Sequence, residues 1–294
     1  MSPLAILDLV NTMPWVWLSL AAIFSLVVGS FLNVVIHRLP IAMEREWRHE
    51  CLLLLGDNAP NTIPPNALKA ISWPASHCPH CKTPLRNWHN IPLISYVLLR
   101  GKCAFCNATI HLRYPSVELI TMLLGLAVAY TFGPSMASLS ALVMVYFLVA
   151  LSFIDLDLKL LPDQLTLPMM WLGLVVNSFG VFTSLESAFW GAVAGYLSLW
   201  LVYWAFRLAT GKHGMGYGDF KLLAAIGAWL GFQAIPMVVL MSALVGIIIG
   251  VGLRLYRPNG DPEIPFGPML ALGGLAYLFY GSTIWRVFNG LMSF

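Results

Sequence analysis

The sequence predicts an all-α polytopic membrane protein of about eight transmembrane helices with a small four-cysteine insertion, and three observations predict it. First, 59% of the 294 residues are hydrophobic, only 10% are charged, and the mean hydropathy is +0.79. Soluble domains carry about 25% charged residues, and a chain this apolar has the bilayer as its natural solvent. Second, apolar runs recur along the chain at roughly the length of a spanning helix, about 20 residues. Third, Lys and Arg collect on alternate connections between those runs.

The expected spans are 14–37, 115–132, 135–154, 166–184, 187–207, 219–233, 236–253 and 266–285. The sixth is short, and Gly273 and Gly274 interrupt the last. The first thirteen residues carry Asp8 and no Lys or Arg, so no cleavable secretory signal is expected. Basic residues fill the segment between the first two spans. Others follow the third span (Lys159), the fifth (Arg207, Lys212) and the seventh (Arg254, Arg257). The opposite connections near 133–134, 185–186 and 234–235 have none, and Arg286 alone departs from the pattern. The positive-inside rule then places the N-terminus outside and the Lys159 and Lys212 loops in the cytoplasm.

Residues 38–114 differ in kind and are expected to form a cytoplasmic metal-binding domain, with 14–37 as a first transmembrane helix and 115–294 as a seven-helix core. Residues 56–66, rich in Asn and Pro, read as loop. Cys78-Pro-His-Cys81 and Cys103-Ala-Phe-Cys106 are two CxxC knuckles. Two such knuckles can deliver four thiolates to one tetrahedral Zn2+, as in a zinc ribbon, and a closed four-thiolate site is structural. Two disulfides are the alternative, disfavoured in a reducing cytoplasm. A small domain with little core gains most from such a staple. Nothing points to nucleic acid.

Acidic residues are costly in spans, so their positions inform. Asp155 and Asp157 end the third span, Asp163 follows in Leu-Pro-Asp-Gln-Leu-Thr, and Asp219 closes Gly214-Met-Gly216-Tyr-Gly218-Asp219 at the start of the sixth. Both clusters meet the same membrane face. Paired carboxylates can hydrolyse a peptide bond, the ionised one activating water and the protonated one polarising the carbonyl. Gly216 and Gly218 leave the backbone open to an extended substrate. Helix capping by Asp163 or Asp219 is the ordinary alternative. By the helix ends alone, Asp219 is the expected base and Asp155 the expected acid.

Across nearly its whole length the chain resembles the bacterial type IV prepilin peptidases, the GxGD class of membrane aspartyl proteases. The resemblance rests on Gly29-Ser-Phe-Leu-Asn33-Val-Val-Ile-His-Arg38-Leu-Pro40, the CxxC pair, Asn90-Ile-Pro92, Arg113-Tyr-Pro115-Ser-Val-Glu118, Asp155-x7-Asp163-x2-Thr166 and Gly216-Tyr-Gly218-Asp219. It implies cleavage of the basic leader from prepilins and pseudopilins at the cytoplasmic face of the inner membrane, with Asp155 and Asp219 as the catalytic pair. Gly216, Gly218 and Asp163 would support that site. It also implies N-methylation of the new terminus from S-adenosylmethionine, for which Asn33, Arg38 and Glu118 are the candidate donor or substrate residues. A protease without methyl transfer, and a proton- or cation-coupled transporter, are the alternatives. The resemblance does not say which prepilins are cut or how many chains assemble.

Overall fold

The computed structural model describes residues 13–55, 76–78, 80–256 and 264–292. Among these, regular structure is helical, and the only extended pairings are two isolated bridges in the cysteine segment. The elements are α1 (Pro14–Leu55), a 3-10 turn (Asn87–Asn90), α2 (Ile94–Leu98), α3 (Arg113–Phe132), α4 (Met136–Leu158), α5 (Asp163–Ser178), α6 (Leu185–Thr210), α7 (Tyr217–Leu230), α8 (Ala234–Tyr256) and α9 (Gly267–Met292). Five of them, α1, α3, α4, α6 and α8, are long and apolar enough to cross a membrane. The other three expected spans correspond to α5, α7 and α9. The chain divides into two compact units, Met1–Tyr130 and Thr131–Phe294.

In the first unit, α1 does not stop at 37 as the sequence pattern suggests. It runs through Pro40 to Leu55. Residues 41–55 are rich in Leu, Glu and Arg, all good helix formers. Pro40 removes one backbone bond without ending the helix, and Arg48 pairs with Glu44 one turn away at 2.7 Å. The expected boundary at 37–38 therefore falls inside a continuous helix, and the loop expected at 56–66 lies outside the described residues. The α1 and α3 helices meet closely at Gly29, where a Cβ would stand 3.0 Å from Glu118 Cα and 3.1 Å from Thr121 Cβ. Trp17 Nε1 donates to Ala129 O at 3.2 Å further along the same contact.

The second unit is built around α7, whose residues from Asp219 to Leu230 are buried except for Lys221. With fourteen residues it is only about 21 Å long, short of the roughly 30 Å hydrocarbon layer. A buried short helix needs partners for its end groups, since lipid offers none. Asn177 supplies them. Its Nδ2 donates to Ala228 O and Trp229 O, both at 2.8 Å, while its Oδ1 accepts from the amides of Phe182 and Thr183. Trp229, fully buried, donates from Nε1 to Met169 O at 2.8 Å. On the other side α6 presents Gly191 and Gly195, a small-xxx-small pair that brings the backbone of α6 against that of α7 at Gly227 and Leu223.

α4 ends four residues later than the expected third span, so Asp155 lies in its last turn. Lys159, in the left-handed region at φ 53°, closes the helix with its amide on Asp155 O at 2.8 Å. The last helix is not broken at Gly273 and Gly274. It is continuous from Gly267, and a Cβ at Gly273 would meet Ser242 Oγ at 2.6 Å and Val238 O at 2.7 Å, so the glycine lets α9 pack on α8.

Candidate active site and metal centre

Of the described carboxylates, three are buried: Asp155 (5% exposed), Asp219 (7%) and Glu118 (9%). The first two belong to the second unit, Asp155 in the last turn of α4 and Asp219 in the first turn of α7. Asp157 and Asp163 are exposed. Burial thus separates Asp155 from its acidic neighbours.

α7 begins at Tyr217 with Gly216 as its N-cap, in extended geometry (φ −81°, ψ 149°). Asp219 is therefore third in the helix, inside its first turn, and its side chain turns back so that Oδ2 lies 3.6 Å from where a Gly216 Cβ would be. The two glycines differ. A Cβ on Gly218 would stand 2.7 Å from Leu161 Cβ, so packing requires glycine there. A Cβ on Gly216 meets only ordinary contacts, so the protein itself leaves that backbone open.

Asp155 Oδ2 accepts a hydrogen bond from the Gly267 amide at 2.8 Å, in a buried setting. Gly267 is the first residue of α9. Both carboxylates thus sit at a helix N-terminus, Asp219 at that of α7 and Asp155 at that of α9. The division of acid and base expected from the ends of α4 and α7 alone loses its basis, because the first amide of α9 also points at Asp155. Gly267 has no side chain and acts through its backbone, so no residue pattern flagged it.

Asp163 opens α5 and does not cap it with its side chain. Both of its oxygens lie 2.7 Å from Lys221 Nζ, two residues beyond Asp219. Behind the 211–216 loop, Tyr203 OH lies 2.7 Å from His213 Nδ1, and Tyr203 packs against Tyr217 and Phe220.

In the first unit the four cysteines converge, their Sγ atoms all within 4.8 Å of one another. The two knuckles repeat one geometry. The Cys78 amide donates to Thr83 O and the Lys82 amide to Cys78 O; the Cys103 amide donates to Ala108 O and the Asn107 amide to Cys103 O. Lys82 and Asn107, each four residues after the first cysteine, are both left-handed (φ 57° and 56°). Cys78 Sγ and Cys106 Sγ are 3.8 Å apart. That is far from a disulfide at about 2.05 Å. It matches the sulfur–sulfur edge of about 3.8 Å that a tetrahedron with metal–sulfur bonds of about 2.3 Å requires. Hydrogen bonds from Thr83 hold the Cys81 thiol down to about 6, and amides at Phe105 and Cys106 lower that of Cys103.

Asn33, Glu118 and Arg38, the candidate methyl-donor or substrate residues, all belong to this unit. Asn33 Nδ2 donates to Tyr114 O at 3.0 Å, and its buried Oδ1 has no partner among the described residues. Glu118 Oε2 accepts the amide of Leu93 at 2.8 Å and so holds the Asn90-Ile-Pro92 turn. Leu93 is itself left-handed (φ 56°), an unusual geometry that this bond helps to fix. Arg38 lies five residues beyond Asn33 on α1, half-buried.

Fold and site together define a multi-pass membrane protein with a buried carboxylate pair in one unit and a four-thiol centre in the other. The family described as Bacterial Peptidase A24 N-terminal domain matches residues 23–132, and the Type IV leader peptidase family matches residues 142–251. Three relatives bear the name prepilin leader peptidase/N-methyltransferase. The Aeromonas hydrophila protein is 54% identical over 283 residues, 96% of this chain and 97% of its own length. The Pseudomonas aeruginosa protein is 49% identical over 284 residues, again 96% and 97%. The Neisseria gonorrhoeae protein is 46% identical over 274 residues, 92% and 93%. No solved structure matches the chain. The chain belongs to the type IV prepilin leader peptidase family.

Proposed function

We propose that this protein is a prepilin peptidase and N-methyltransferase that cuts the leader from type IV prepilins and pseudopilins through Asp155 and Asp219, and then methylates the new N-terminus. The enzyme class is that of its family. The observation that carries the residue assignment is the burial of these two carboxylates, from helices α4 and α7, within one helical unit.

One carboxylate, ionised, removes a proton from water, and the water oxygen attacks the scissile carbonyl. The other, protonated, hydrogen-bonds to the carbonyl oxygen as it becomes tetrahedral. Collapse breaks the C–N bond, and the proton taken from water leaves on the amine. The pair shares its protons, so acid and base are properties of the pair. Gly216, with room over its backbone, is where the extended substrate lies closest to Asp219. Gly218 lets Leu161 pack beside that turn, and Asp163 steadies α7 through Lys221.

Cys78, Cys81, Cys103 and Cys106 hold a structural Zn2+. Their four thiol sulfurs suit this ion, and four ligands leave no open position for catalysis. S-adenosylmethionine supplies the methyl group for the second reaction. Asn33 and Glu118, with an unpartnered buried oxygen and a buried carboxylate, offer acceptors to a cationic donor; Arg38 is placed to contact donor or substrate. The basic loops support a carboxylate site at the cytoplasmic face of the inner membrane, with a periplasmic N-terminus.

The test uses purified full-length protein with a synthetic prepilin and labelled S-adenosylmethionine. Leader release followed by label on the new N-terminal amine is expected. Release without label would remove the methyltransferase assignment. Label without release would remove the peptidase.

A further inference from the structure

We infer that the amino-terminal end of α9 forms a third wall of the carboxylate site, and that the backbone amide of Gly267 is a positioning group for Asp155. The inference rests on Asp155 acting in cleavage and adds a residue that lies 112 positions away in sequence.

A helix leaves the amides of its first turn without intrahelical acceptors. In α9 these can be accounted for one by one. Met269 and Leu270 direct their amides to Phe266 O, both at 3.1 Å. Pro268 has none. The Gly267 amide goes to Asp155 Oδ2 at 2.8 Å. The first turn is thus arranged so that one buried donor points at the carboxylate while the rest are closed or absent.

The approach is possible only because residue 267 is glycine. A Cβ there would stand 2.6 Å from Asp155 Oδ2, and 3.2 Å from both Asp155 Cγ and Leu161 Cδ2. Leu161 is also the side chain against which Gly218 packs. One leucine therefore sits between two glycines, one beside each aspartate, and sets how close α9 and the α7 turn come to α4. With Oδ2 held by the amide, Asp155 is left to present Oδ1 to the water and to Asp219. An aspartate in the last turn of a helix would otherwise rotate about its side-chain bonds.

The test compares Gly267→Ala with the parent in full-length enzyme, using a synthetic prepilin. Displacing the carboxylate should lower kcat by about 100-fold, leave KM unchanged and move the pH profile of kcat. Bound metal and methylation of an already cleaved peptide should not change. The double variant Leu161→Ala/Gly267→Ala removes the contact with Leu161 Cδ2 but not the one with Asp155 Oδ2, so it should remain slow. Parental kcat in Gly267→Ala, or full recovery in the double variant, would overturn the inference and reduce Gly267 to a packing residue. Should Gly267→Ala not fold, hydrogen exchange decides. The Gly267 amide should exchange faster in Asp155→Ala than in the parent while the Met269 and Leu270 amides do not, and an unchanged Gly267 amide would overturn the inference. Asp155→Asn separates the two ideas: an active Asp155→Asn would sink the catalytic assignment itself, whereas an inactive one with a fully active Gly267→Ala would sink only the role of Gly267.

Discussion

Lys221 Nζ lies 2.7 Å from both carboxylate oxygens of Asp163, and this pair joins the first residue of α5 to the fifth residue of α7. The two side chains are 31% and 50% exposed. Water screens such a pair, so its worth to folding is at most about 1 kcal/mol. Its value lies in where it sits, two residues beyond Asp219. Asp163→Asn or Lys221→Met should lower kcat for leader cleavage by about 10-fold through misplacement of α7. The exchanged pair Asp163→Lys/Lys221→Asp should recover most of the rate. Steady-state cleavage assays on the three variants check this, and no recovery in the exchanged pair would point to direct substrate contact by Asp163.

Gly216 and Gly218 should fail differently. Gly218→Ala forces a Cβ to 2.7 Å from Leu161 Cβ, so it should lose both thermal stability and cleavage, and Leu161→Gly, which removes that Cβ, should partly rescue it. Gly216→Ala has room in the protein and an extended backbone open to any residue. It should fold with the parental melting temperature and raise KM for prepilin. Equal melting losses in the two variants would show that Gly216 is also a packing glycine.

Much of this site was legible in the sequence because side chains carry it. Carboxylates are rare in apolar runs, which made Asp155, Asp163 and Asp219 visible, and the CxxC spacing made the four thiols visible. What stayed hidden has one of two causes. Gly267 acts through its amide, and a backbone donor leaves no residue signature. The Asp163–Lys221 pair, fifty-eight positions apart, depends on two helices meeting, which a single sequence does not state. The fold shows the same division. Apolar runs marked the helices, but not that α1 would run through Pro40, nor that Gly191 and Gly195 would seat α6 on α7. Asn177, a polar residue inside an apolar run, was a readable signal of a buried partner, although not of which one.

Asn177→Ala should unfold the centre of the second unit more easily. It strips the acceptors Ala228 O and Trp229 O of their donor in a region shielded from water. Two buried carbonyls left unpaired should cost about 2–4 kcal/mol. Thermal unfolding in detergent measures this, and an unchanged midpoint would mean that other groups close the end of α7.

Metal should follow the thiols and not the carboxylates. Cys78→Ser or Cys103→Ser removes a buried thiol from the group of four, and the zinc content should fall to background by elemental analysis. Binding needs thiolates, so acid competes with metal. The lowered Cys81 thiol is deprotonated above about 6 and regains its proton as the pH falls through that value. Zinc retained at pH 8 should therefore be released progressively as acid is added. Asp155→Asn should leave the zinc content intact.

The central claim is that Asp155 and Asp219 together cut the leader. The most direct measurement is single-turnover cleavage of a synthetic prepilin by full-length Asp155→Asn and Asp219→Asn in proteoliposomes, with methylation of an already cleaved peptide followed in the same samples. Each variant is expected to show no detectable leader release while methylation proceeds at the parental rate. Leader release near the parental rate in either variant would contradict the claim and remove that aspartate from the site.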